Sequence, residues 1–111
     1  MGEHIDMEAL DELKEVMEDE FASLIHTYLD DSVMRLESLR EAFAAQDADA
    51  LRKAAHSFKG SCGNIGAPAL ADLCRRVEDI SRAGEVEEAV PLMDLIASEY
   101  LEVKVVMEGF L

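Results

Sequence analysis

The chain has 111 residues, half of them hydrophobic and about a third charged, with a net charge of −15 and a pI of about 4.3. That length supports one domain, residues 1–111, with a single modest core, and the composition is that of an ordinary soluble globular protein. So acidic a body excludes nucleic acid as a partner. The longest run without a formal charge, Gly60 to Ala71, is too short for a bilayer, which takes about 20 apolar residues.

The acidic start Met1-Gly2-Glu3-His4-Ile5-Asp6 has no apolar signal core, so a cytoplasmic protein without membrane association is expected. Cys62 and Cys74 show no C-x-x-C spacing and lie among apolar residues, which predicts buried, reduced thiols. No His/Cys cluster has ligand spacing, so no metal site and no cofactor are expected. Ala, Leu, Glu, Met and Lys are plentiful, while Gly and Pro are confined to a few places. This favours an all-α fold.

In chain order, Asp6 can cap a short first helix carrying Leu10, Leu13 and Met17 on one side. The run Glu18-Asp19-Glu20 suits the N-terminus of a second helix, where the dipole favours negative charge. That helix presents Phe21, Leu24, Ile25, Tyr28, Leu29, Leu36, Leu39 and Phe43. It should run to about Ala45, roughly 40 Å at 1.5 Å per residue.

Asp47 or Asp49 caps a third helix that ends between Cys62 and Ile65. Gly66 is its stop, and Pro68 suits the first turn of the fourth. The fourth turns Leu70, Leu73, Cys74, Val77 and Ile80 inward and ends at Gly84. A fifth begins between Glu85 and Pro91, with Met93, Ile96, Tyr100, Val103, Met107 and Phe110 on its buried face. Pro91 either starts that helix or kinks it. Four long amphipathic helices with short connections predict an antiparallel four-helix up-and-down bundle, with the short additional N-terminal helix capping one end.

The third helix carries the chemistry. Leu51, Ala54, Ala55, Phe58 and Cys62 form one apolar stripe. At about 100° per residue, His56 points roughly 140° away from it. Its helix-surface neighbours are Arg52, Lys59, Gly60 and Gly63. Glycine in a helix interior costs about 1 kcal/mol relative to Ala. A bare position at Gly60 therefore implies a gain in access, such that another backbone or a phosphoryl group can approach His56.

Residues 52–82 hold six Lys/Arg against three Asp/Glu, a basic island in an acidic chain. Arg52, Lys53, Arg75 and Arg76 are the candidates there for meeting a phosphate or an acidic partner surface, with Ser57, Gly63 and Asn64 as small or polar neighbours. His4 lies in a terminal segment. His26 has no flanking Lys-Gly, and neither is assigned a role.

The run His56-Ser57-Phe58-Lys59-Gly60-Ser61, followed by Asn64-Ile65-Gly66-Ala67 and later by Leu70, Leu73, Cys74 and Glu78, resembles the histidine phosphotransfer (HPt) domain of multistep two-component signalling. The histidine, the apolar third position, the Lys-Gly pair, the small residues and the Gly-Ala close all match that family's motif. Cys62 departs from it, since Ser or Ala is commoner there.

The resemblance implies a stand-alone, monomeric phosphocarrier. His56 would take a phosphoryl group from an aspartyl phosphate on the receiver domain of a hybrid sensor histidine kinase and pass it to a response regulator's receiver. The receiver would bring the Mg²⁺. Lys59 would offer its ammonium to the phosphoryl oxygens, and Gly60 would leave room for the receiver's active site. Glu78 would accept a hydrogen bond from Nδ1 and leave Nε2 as nucleophile. The chemistry is sound, because imidazole with an ordinary pKa of about 6.5 is a competent nucleophile near neutral pH.

No ATP-binding or kinase signature is present, and Gly60-x-x-Gly63-x-x-Gly66 does not follow a strand. A carrier rather than an enzyme is therefore expected. The alternative is a helical adaptor that binds a receiver or regulatory protein without carrying phosphate.

Overall fold

The computed structural model of the protein describes residues 4–111. It has five α-helices: α1 (Met7–Met17), α2 (Phe21–Ala44), α3 (Ala48–Asn64), α4 (Pro68–Arg82) and α5 (Val90–Glu108). One-turn 3-10 segments at Glu18–Glu20 and Val86–Ala89 precede α2 and α5, and no strand occurs among the described residues. Helices α2 to α5 pack in chain order, and α2 also meets α5, closing a four-helix bundle. The most extensive interface is between α3 and α4. The bundle measures 43 × 25 × 19 Å. No helix among the described residues is long and apolar enough to cross a membrane.

The helix starts follow from their caps. The Asp6 carboxylate accepts the Ala9 N–H at 3.1 Å, and that of Asp47 accepts the Ala50 N–H at 3.0 Å. Asp47 is thus the cap of α3. Asp49 lies in its first turn and pairs with Arg52 and Lys53 instead. Pro68 and Pro91 both lie in first turns, where a missing N–H costs nothing. Pro91 therefore starts α5 rather than kinking it.

Between α3 and α4, Gly66 takes φ +83°, a conformation that favours glycine. Its carbonyl accepts the Asp6 N–H at 2.8 Å, and Ile5 is buried beside it in the sequence. These contacts fix the start of α1 to the α3–α4 turn.

The acidic run 18–20 behaves differently from expectation. Glu18 has φ 49°, and its N–H bonds the Lys14 carbonyl, which ends α1. The run then forms its own 3-10 turn, and α2 starts only at Phe21, the first buried side chain of its face. Helix α4 stops at Arg82, with Gly84 in the left-handed region just beyond.

The core contains the expected α3 stripe, with Leu51, Ala55, Phe58 and Cys62 fully buried and Ala54 half-buried. The Phe58 ring lies 6.3 Å from that of Tyr100 on α5. A buried Leu or Phe side chain contributes about 1.5–3 kcal/mol, so this stripe sets the rotation of α3 and fixes which face His56 occupies. Ile80, Met93 and Phe110 are half-buried at the rim of the core.

Candidate functional site

His56 projects from the polar face of α3 with its side chain 66% exposed. Its Nδ1 lies 2.8 Å from Oε2 of Glu78 on α4, and the Glu78 side chain is only 5% exposed. Two other donors reach the same carboxylate. Lys59 Nζ is 2.7 Å from Oε1, and Arg82 Nη2 is 3.2 Å from Oε2. Burial pushes the Glu78 carboxyl up, but the hydrogen bonds and charges of Lys59 and His56 outweigh it and hold the group below its ordinary value.

Glu78 is therefore an ionised, acceptor-only carboxylate. The hydrogen between the two groups belongs to Nδ1, so in the neutral ring the lone pair belongs to Nε2, the other ring nitrogen of an exposed side chain.

The surroundings of the ring are open. A Cβ built on Gly60 or Gly63 would meet nothing within 4 Å. The helix-propensity cost of two glycines thus serves no contact among the described residues. Two grooves run along α3, and His56 lines the first of them. One, of about 530 Å³, lies between α2 and α3 and is lined by Tyr28, Arg35, His56, Ser57, Gly60 and Asn64, among others. The other, of about 440 Å³, runs between α3 and α4 past Lys59, Gly63, Asp72 and Arg75. Among the described residues, no group of three or more His, Cys, Asp or Glu side chains could hold a metal ion.

The basic island is largely neutralised from within. Arg52 and Lys53 pair with Asp49. Arg75 pairs with Asp72 and Asp79, and Arg76 with Asp72. Arg76 lines neither groove beside His56. Lys53 lies farther along the α2–α3 cleft, near Ala50 and Ala54.

Sequence reasoning missed two participants and one long-range contact elsewhere in the fold. Arg35 crosses from α2 to hydrogen-bond Ser57 Oγ, and its Nε is a buried side-chain donor without a partner among the described residues. Arg82 belongs to the basic island of the sequence, and its spacing of four from Glu78 is the available signal. His4 is not a bystander: its Nδ1 lies 2.5 Å from Oε2 of the buried Glu99. Nothing in the local sequence joins residues 95 apart.

The family model of the Hpt domain matches residues 23–105. The chain belongs to the Hpt domain family. The crystal structure of histidine-containing phosphotransfer protein B (HptB) from Pseudomonas aeruginosa PAO1 is similar, with a TM-score of 0.93 and 41% identity. The match covers 98% of this chain and 95% of that one. A search of curated proteins found no match.

The part matched by the Hpt domain model spans α3 and α4 entire and leaves α1 outside. The coverage by the HptB structure takes in α1 as well, so the short first helix is common to this chain and that structure.

Proposed function

We propose that this Hpt domain relays a phosphoryl group between receiver-domain aspartates through Nε2 of His56. The reading rests chiefly on the bond between Nδ1 and buried Glu78, which leaves Nε2 with the lone pair.

In the forward step, that lone pair attacks the phosphorus of an aspartyl phosphate. The N–P bond forms, and the acyl P–O bond breaks with its electron pair leaving on the aspartate. No proton has to leave Nε2, because none is there. The ring keeps its Nδ1 proton and becomes formally cationic, and Glu78 supplies the matching negative charge beside it. The second step is the reverse attack by another receiver's aspartate.

Lys59, one turn from His56, is within reach of phosphoryl oxygens on Nε2 once it turns away from Glu78. Gly60 and Gly63 admit the receiver's backbone. Ser57 and Asn64 line one side of the contact, with Lys53 farther along. Gly63 and Arg75 line the other, and Arg52 and Arg76 stand at the rim. The receivers are those of a hybrid sensor kinase and of a response regulator. They bring the Mg²⁺, so the chain acts as a monomeric phosphocarrier rather than as a kinase, in the cytoplasm.

Phosphorus–nitrogen coupling in ¹⁵N-histidine-labelled protein, after incubation with a phosphorylated receiver, tests the assignment. Coupling to Nε2 of His56 is expected. Coupling to Nδ1 would overturn the assignment of Nε2 as the nucleophile, and receiver binding by His56→Ala equal to wild type with no phosphohistidine in either would replace the carrier by a phosphate-independent adaptor.

A further inference from the structure

Three donors converge on Glu78, and phosphoryl transfer through His56 accounts for only two of them. The third, Arg82, sits one turn farther along α4 and is 61% exposed. Its Nη2 reaches the same Oε2 that holds His56 Nδ1, at 3.2 Å, and its Nη1 lies 3.7 Å from Asp79. A solvent-exposed guanidinium has no need to bend back over a buried carboxylate, and Asp79 offers it an exposed partner on the same helix.

The charges explain the arrangement. In the resting chain Glu78 has Lys59 as a counter-ion at 2.7 Å. When His56 carries a phosphoryl dianion, Lys59 is the ammonium closest along α3, and it cannot serve both anions at full strength. The His56 ring is cationic once phosphorylated, but its charge is shared with the dianion it carries, so a buried carboxylate that also loses Lys59 is left under-compensated, which is disfavoured. It would take up a proton or swing away, and either change frees Nδ1.

We propose that Arg82 is a positioning residue for the transfer: it remains as the counter-ion of Glu78 when Lys59 turns to the phosphoryl group, and so keeps the His56 ring oriented throughout. This rests on the phosphocarrier reading of His56. Arg82 touches neither the phosphoryl group nor His56 in this role. It acts through Glu78 alone.

That restriction makes the proposal testable by a double-mutant cycle. The full chain and its variants are mixed with a ³²P-labelled receiver domain, and initial rates of label transfer are compared. Arg82→Ala should slow transfer roughly three- to tenfold, as expected for loss of one charge-assisted hydrogen bond. Arg82→Lys should restore most of the rate. In a Glu78→Gln background, Arg82→Ala should slow transfer by less than about twofold. The ¹⁵N shifts of the His56 ring in phosphorylated Arg82→Ala should report a weakened Nδ1 hydrogen bond, which a purely structural role would not produce.

An equal loss in both backgrounds would overturn the proposal and make Arg82 a direct partner contact. A wild-type rate in Arg82→Ala would overturn it too. A wild-type chain that takes no label overturns the phosphocarrier reading itself, and this proposal falls with it.

Discussion

Glu78 and His56 are joined across the α3–α4 interface by a 2.8 Å contact between a buried carboxylate and an exposed ring. The pair lies 22 residues apart in sequence and on the most extensive helix interface of the bundle. Packing of the α3 and α4 cores thus sets the orientation of the reactive nitrogen, and a change in that packing is a change in the site.

Gly60→Ala separates stability from function. The added methyl meets nothing within 4 Å, and alanine is the better helix former by about 0.5–1 kcal/mol. Urea denaturation should show a midpoint equal to or above wild type, while transfer from a receiver falls. A destabilised Gly60→Ala would mean that the glycine serves the fold, not access.

Glu78 also sets an acid limit. Its folded-state pKa is depressed below the ordinary Glu value of about 4.3. Its contribution to stability is therefore complete above that value and disappears as pH falls through the lower, folded value. Stability of wild type measured between pH 6 and the acid transition should fall more steeply than that of Glu78→Gln. Parallel curves would contradict the ionised, paired carboxylate.

His4 should titrate in the opposite sense. The hydrogen bond and charge of Glu99, with the charge of Glu102 adding, hold its imidazole above the ordinary value of about 6.5. The contact stabilises the fold below that value and is lost as pH rises through the raised one. NMR titration should place the His4 midpoint above 6.5, and Glu99→Gln should bring it back. An unshifted His4 in wild type would remove the staple between the N-terminal segment and α5.

Cys62 and Cys74 are free and fully buried. A hydrogen bond with Cys62 and burial push the Cys74 thiol far above its ordinary range, and the thiolate is the reactive form. Iodoacetamide should label neither cysteine in native protein and both in urea. Rapid native labelling would show that the α3–α4 core opens.

Local chemistry made much of this legible from sequence. Asp6 and Asp47 cap helices because short carboxylates reach free N–H groups, and Gly66 ends α3 because φ there is positive. Helix period alone placed His56 opposite Leu51, Ala55 and Phe58. The 3-10 turns are not readable as separate segments, because Glu18–Glu20 carries no apolar residue and Val86–Ala89 is a single turn, too short to show a period. Arg35 on Ser57 and His4 on Glu99 are long-range contacts between polar side chains. Residue spacing says nothing about such pairs. Only packing brings them together.

The most direct measurement is transfer of ³²P from phosphorylated receiver domains to the wild-type chain and to His56→Gln. Acid-labile, base-stable label on wild type alone, with helix content equal in both proteins by circular dichroism, is the predicted result. Equal labelling of His56→Gln would contradict the account and move the phosphoryl acceptor to another residue.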